Sequence, residues 1–403
     1  MFDLNVVIIG GGIAGCATGI MLRRAGYSVQ LYERAEEILP VGAAISVWSN
    51  GVMVLNRLGL GKQVAAAGGD MRRMVYRSHT GQPLLDLDLT GIYREVGERC
   101  YPTARGELQQ MLMEQLLREG GVVTLGKALS RVEPLAGGRV RAVFEDGSAS
   151  AAADLLVGAD GTRSTVRKHV LQRDTPLVYH YTNWNGLVPA SEGLGTAHEW
   201  VQYVGQGCRA ATMPVGGGRC YFFIEVPLPE DAPVPARGTE AMREELLRIF
   251  RGWPEPVQRL IRAIDVIRSC NRIPICDHDP LPAFSRGPVV LVGDAAHATT
   301  PTLGQGGCQA LEDAEVLGQL LMTTNVSVQD ALERYAQHRR TRVHSMVLKA
   351  RERARTLYPR NDDDMQLTLA WYRQLGSGDK AVGDNIISGM TANLRGGPWP
   401  ARL

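Results

Sequence analysis

A chain of 403 residues is too long for one minimal core and suits two interleaved domains followed by a tail. Its 44 Lys+Arg against 42 Asp+Glu leave a formal charge of +2, too balanced a surface to direct the protein at nucleic acid or an anionic membrane. Seven scattered cysteines without a C-x-x-C pair imply neither a disulfide framework nor a zinc site, which favours a reducing compartment.

In chain order, residues 5–9 (NVVII) read as a short buried strand, 10–27 as a glycine turn entering an amphipathic helix, and 28–34 (SVQLYER) as a second strand. The apolar opening has no basic segment before it and is broken by glycines, so it makes a poor signal peptide. The three elements form one β-α-β unit of nucleotide-binding size. Further strands are expected at 121–126, at 139–147 with an Asp-Gly turn signal, and at 154–160. Between about 176 and 274 the pattern becomes alternating and aromatic-rich, as in an antiparallel sheet with one covered face. A last buried strand spans 288–294, and from about 306 helix dominates. The arginines of the long helical stretch (339, 340, 342, 351, 353 and 355) read as a solvated face. No apolar run approaches the ~18–20 residues of a spanning helix, so the expected compartment is the cytoplasm, with no membrane partner.

Gly10, Gly12 and Gly15 form G-x-G-x-x-G between a strand and a helix, with Ala14 in the same turn. Glycines there allow a tight turn and close approach of a pyrophosphate, and the helix N-terminus supplies N–H donors. Glu33 ends the second strand twenty-one positions after Gly12, where a carboxylate can accept from ribose hydroxyls. This fingerprint does not by itself separate NAD from FAD. Asp160 and Asp294 each end a later strand, and distant segments converging on one cofactor suit a long, extended molecule. Asp294 is expected to hold ribitol hydroxyls, and the start of the next helix (Gly304, Gln305, Gly306, Gly307 and Cys308) to face the flavin.

Together, G-x-G-x-x-G, GADGTRSTVR (158–167) and GDAAHATTPTLGQGGCQALEDA (293–314) resemble the class A flavoprotein monooxygenases, the para-hydroxybenzoate hydroxylase-like family, over residues 5 to about 345. The resemblance implies an α/β fold: a Rossmann-like FAD-binding domain, an antiparallel-sheet substrate domain and C-terminal helices. The expected division is 1–73, 99–175 and 275–345 for the FAD-binding domain, 74–98 and 176–274 for the substrate domain, and 346–403 for the C-terminal helices. It further implies non-covalent FAD, no metal, and O2 with NADH or NADPH as co-substrates. By position, Arg105 should reach the flavin, Leu129 should offer its backbone to adenine, and Ser46 and Arg34 should lie at the cofactor. Cys308 departs from the family pattern, which usually has Asn after G-Q-G-x. With VGAAISVWSNGV, NWNGLVP and MPVGGGRCYFFIEVPLP, it resembles more closely the FAD-dependent urate hydroxylases.

That closer resemblance implies a flat, acidic, electron-rich oxopurine as substrate, which needs a cation and convergent polar groups in a mostly apolar pocket. If 208–215 and 219–227 pair as a hairpin, Tyr221 falls opposite Met213, and alternation puts Arg209, Met213 and Tyr221 on one face. Arg209 and Tyr221 are the expected catalytic and substrate-binding residues, with Asn183 a third substrate contact. Whether Tyr221 acts through its hydroxyl or only packs is open at this level, whereas Trp184 reads as core and His297 and Cys308 as structural. Two other readings remain: a hydroxylase of another electron-rich aromatic such as a salicylate-like phenol, and a non-catalytic binder of the GDP-dissociation-inhibitor type. Nothing in the sequence chooses between NADH and NADPH.

Overall fold

The computed structural model describes residues 4–38, 43–191, 194, 197–228, 240–266, 270–323 and 326–395. The NVVII run forms the strand Asn5–Ile9, whose last four residues are buried. An uninterrupted apolar run of this kind belongs inside a parallel sheet covered on both faces. Here it lies between Leu155–Gly158 and Ser28–Tyr32. Val289–Leu291 extends the sheet on one side and Val122–Thr124 on the other, all in parallel, and Ser285–Arg286 adds a short antiparallel sixth strand. The helices Ile13–Arg24, Arg105–Arg118 and Gly306–Met322 pack over this sheet.

The second sheet has seven strands, in the order Cys270–Asp277, Val178–Pro189, Arg219–Pro227, Cys208–Val215, Glu199–Gly205, Arg73–Ser78, Pro83–Asp88. It is antiparallel except where Glu199–Gly205 runs parallel to Arg73–Ser78. Alternation divides its side chains. Trp184, Ala210, Phe222 and Ile224 pack beneath the helices Glu240–Ile249 and Glu255–Ala263. Arg209, Met213, Tyr221 and Phe223 face the other way, into a cavity between the two sheets.

The helix Val328–Leu357 is continuous for 30 residues. Leu332, Tyr335 and Val343 belong to the core of the parallel sheet, and Ala354 and Leu357 pack with Tyr181 and Ile275 of the large sheet. Two expected boundaries are thereby corrected. The break at 345/346 falls inside this helix, and the one at 274/275 falls inside the strand Cys270–Asp277, which stays in the large sheet throughout. The solvated arginine face is also corrected: Arg339 is fully buried, and Arg342, Arg351 and Arg355 are ion-paired to Glu312, Asp277 and Asp364. No described helix is long and apolar enough to cross a membrane.

Candidate active site

A cavity of about 330 Å3 runs from the first glycine turn to the large sheet. Gly12, Ala14, Ser46, Arg105 and Asp294 line its first part together with Gly304, Gly306 and Gly307; Asn183, Arg209 and Tyr221 line its far end.

At the near end the glycines divide the work. A Cβ on Gly15 would lie 1.9 Å from the carbonyl oxygen of Gly10, so only glycine lets the helix sit this close to its strand. Gly12 has open space in front of it and caps the helix Ile13–Arg24 without a side-chain acceptor. The first N–H groups of that helix therefore face the cavity as free donors, as a pyrophosphate requires. Glu33 does not line the cavity: its carboxylate accepts from the Gly11 N–H at 2.6 Å and the Ala35 N–H at 3.0 Å. Gln109, which the sequence did not single out, donates to the Gly11 carbonyl at 2.7 Å and clamps the same turn. Arg34 is exposed beside Glu33, and Leu129 begins a strand two residues after Lys127, whose N–H bonds the Glu33 carbonyl at 2.8 Å.

Asp160 is spent differently from expectation. Its carboxylate accepts from Ser164 Oγ and from the N–H groups of Thr165 and Val166, capping the helix Thr165–Leu171 instead of facing the cavity. Burial lifts its carboxyl above the usual range despite these bonds. The neighbouring Arg167, also unforeseen, donates to Thr162 at 2.6 Å and Ala295 at 3.1 Å, joining this loop to the one bearing Asp294.

Asp294 itself is exposed at the cavity wall, 3.5 Å from Thr162 Oγ1. Its aim is set one residue earlier. Gly293 adopts φ +59°, and a Cβ there would approach that of Ala14 to 2.7 Å. The Gly293 N–H donates to Asp313 at 2.8 Å, and Asp313 also takes His297 Nε2 at 2.5 Å and Arg339 Nε at 2.7 Å. Burial alone would raise the Asp313 carboxyl; the charges of His297 and Arg339 hold it at about 2. His297 is thus a strut of the loop. Gln305 and Cys308 turn away from the cavity. Gln305 meets Asn50 at 2.9 Å, and the Cys308 sulfur accepts from the Trp48 N–H at 3.3 Å, its thiol pushed by burial up to about 12.

At the far end Met213 pairs with Tyr221 across the hairpin, the register that alternation requires. Arg209 is 5% exposed, so its charge needs a partner. Glu225 provides it, accepting from Nε at 2.6 Å and ion-paired with Nη2 at 2.5 Å, while Nη1 donates to Gln202 at 3.1 Å. Two of the five guanidinium N–H groups are so hydrogen-bonded, which leaves three. Glu225 was missed because a glutamate in an alternating strand reads as solvent-facing. It also accepts from Asn183 Nδ2 at 2.8 Å and from the Tyr358 hydroxyl, and Asn185 donates to Asn183 at 2.5 Å. The Tyr221 ring lies 5.5 Å from that of Phe223, and burial raises its hydroxyl well above the usual range.

A parallel sheet with a free helix N-terminus at one end of a long cavity, and a sheet-borne arginine at the other, defines a dinucleotide-binding flavoprotein fold with a built-in substrate chamber. The family described as FAD binding domain matches residues 3–350, and the chain belongs to it. The chain is 42% identical to the FAD-dependent urate hydroxylase of Klebsiella pneumoniae over 397 residues, covering 98% of this chain and all of that one. It is 41% identical to the FAD-dependent urate hydroxylase of Mycolicibacterium vanbaalenii, with 98% of each covered. The crystal structure of Klebsiella pneumoniae HpxO complexed with FAD and uric acid superposes with a TM-score of 0.90 at 40% identity, covering 98% of both chains.

Proposed function

We infer that this protein is an FAD-dependent monooxygenase that hydroxylates urate to 5-hydroxyisourate, consuming O2 and NADH or NADPH. The observation that carries the reading is the single cavity linking the Gly12 turn to Arg209, Asn183 and Tyr221. The extensive identity to urate hydroxylases supports it. FAD, when bound, supplies the oxygen-activating redox chemistry.

The chain's own residues supply the rest. N–H groups of Ile13 and Ala14 hold the pyrophosphate, Asp294 accepts from ribitol hydroxyls, and Arg105 stands at the flavin part of the cavity. Gly10 and Gly15 keep strand and helix close enough for this. Glu33, Arg34 and Leu129 surround the adenosine end, while Asp160, Gln305 and Cys308 hold the cofactor loops in shape. Arg209 offers its unspent N–H groups to the carbonyl edge or anionic form of urate, a planar match that a point charge does not make. Tyr221 donates its retained proton to the ring and Asn183 orients it. Met213, Phe223 and Ile273 close the chamber with apolar surface, which strengthens these bonds by excluding water.

On this reading the parallel sheet is the FAD-binding domain and the seven-stranded sheet the substrate domain, with the long helix shared between them. Seven free cysteines, and no described helix able to span a membrane, support a cytoplasmic place of action. The test is NADH or NADPH oxidation by the purified, FAD-loaded protein with and without urate, with the product identified and salicylate as the comparison substrate. Stimulation by urate with formation of 5-hydroxyisourate is expected; stimulation by salicylate alone would overturn the assignment.

A further inference from the structure

A second cavity of about 300 Å3 lies beside the first, between the large sheet and the C-terminal helices Asp362–Leu375 and Lys380–Arg395. Nothing in the reaction derived above uses it. Its size is that of a small-molecule site. Trp200 and Thr302 line both cavities, so the two share a wall. On the opposite side its lining includes Asn385 and Gly389, both exposed on the last helix.

The chemistry of its walls is specific. Arg353 projects from the long helix with its guanidinium 3.9 Å from the Trp371 ring centroid and in hydrogen-bonding reach of the Tyr76 hydroxyl. Among the described residues it has no carboxylate partner, in contrast to Arg339, Arg342, Arg351 and Arg355 of the same helix. The like charge of the nearby Arg209 disfavours its charged form further. A partly desolvated cation without an anion leaves the cavity short of negative charge, and stacking on one indole offsets only part of the cost. Trp48 and Trp200, both residues of the cavity wall, add flat aromatic surface beside that of Trp371. Three tryptophans, one unpaired guanidinium and the side-chain amides of Asn385 and Asn393 together suit a flat molecule with carbonyl acceptors and one negative charge.

We propose that this cavity is a second binding site for a planar heteroaromatic anion, an antechamber in which substrate is held before it passes the Trp200–Thr302 wall into the reaction chamber. That the anion is urate rests on the function proposed above. The product of hydroxylation has lost planarity at the attacked carbon, so the tryptophan-lined space favours the substrate over the product.

Calorimetric titration of the oxidised, FAD-loaded full chain with urate, without nicotinamide so that nothing turns over, counts the sites. Two urate molecules per chain are expected. Arg353→Gln should lose one of them, and Arg353→Lys, which keeps the charge, should retain it at weaker affinity. Gly389→Leu is an independent probe, since a Cβ at this position meets nothing within 4 Å and the side chain can fill the cavity mouth without displacing a neighbour. It too should leave one urate per chain. In Arg209→Gln the flavin absorbance shift caused by urate should disappear while the Arg353-dependent site remains. One urate per chain, indifferent to Arg353→Gln and Gly389→Leu, would overturn the antechamber. A wrong substrate assignment looks different: urate then shifts no flavin band in the unaltered protein, yet titration with salicylate still reveals a site that Arg353→Gln removes. Absence of that site as well overturns this proposal too.

Discussion

Glu225 grips Arg209 from the neighbouring strand, its Oε2 accepting from Nε at 2.6 Å and lying 2.5 Å from Nη2. The pair is buried, and Glu225 simultaneously holds Asn183 and Tyr358. Removing one member of such a pair strands a charge in low dielectric. Glu225→Ala should therefore cost about 3–5 kcal/mol of stability, read by denaturant unfolding of the FAD-loaded protein. Urate affinity should fall as well, because Arg209 loses the bonds that aim it. Unchanged stability and affinity would show that Arg209 is held by Gln202 and the aromatic rings alone.

Tyr221→Phe keeps the ring packing against Phe223 and deletes only the hydroxyl. If that hydroxyl presents or protonates the substrate, product formation should fall by roughly 10²–10⁴-fold, the usual worth of general acid–base help. FAD binding should stay intact, and nicotinamide oxidation should continue with electrons diverted to hydrogen peroxide. The ratio of 5-hydroxyisourate formed to NADH consumed decides it. A coupled, near-normal variant assigns the tyrosine to packing and leaves Arg209 and Asn183 to orient urate.

Asp294→Ala should weaken FAD retention without unfolding the loop, since the Gly293–Asp313 bond remains. Hydrogen bonds to a charged carboxylate contribute about 1.5–3 kcal/mol, so the dissociation constant should rise by about 10–100-fold. Fluorescence of released flavin measures this directly, and full retention would remove Asp294 from the cofactor.

Glu315 gives a pH dependence with a definite sign. Burial raises its carboxyl from 4.5 to about 7, against the opposing pull of Arg57 at 3.0 Å. A raised acid favours the folded state while protonated, so its contribution is complete below about 4.5 and lost as pH rises through about 7. Glu315→Gln should remove that loss, making the variant more stable than the unaltered protein at pH 8 by up to about 2 kcal/mol, with little difference at pH 4. Urea unfolding across this range provides the measurement; a variant less stable at pH 8 would show that the Arg57 pair outweighs burial.

What the sequence made legible was local. The Gly10–Gly15 fingerprint sits on consecutive residues, and the pairing of Met213 with Tyr221 follows from counting along one hairpin. What it hid was contact between distant segments. Glu225 looks solvent-facing until Arg209 and Tyr358 are brought to it, and Gln109 acquires a role only when its helix crosses the Gly11 turn. Asp160 was placed on the right strand end without its local bonds, although Ser164 four residues on already signals a helix cap. The arginines of the long helix misled for the same reason: their carboxylate partners come from other parts of the chain. The boundaries at 274/275 and 345/346 failed because composition shifts more gradually than backbone geometry does.

The 30-residue helix Val328–Leu357 has an implication for how the chain can vary. Arg339 on it braces the Asp294 loop, Arg353 faces the second cavity, and Tyr358 just past its end reaches Glu225. Each added or deleted residue between these points would turn everything beyond it by about 100° and shift it by about 1.5 Å. Side-chain replacement along this rod is a local event, but a change in its length is not. The spacing from Arg339 to Tyr358 is therefore a fixed gauge between the Asp294 loop and the Arg209–Glu225 pair, intolerant of insertion.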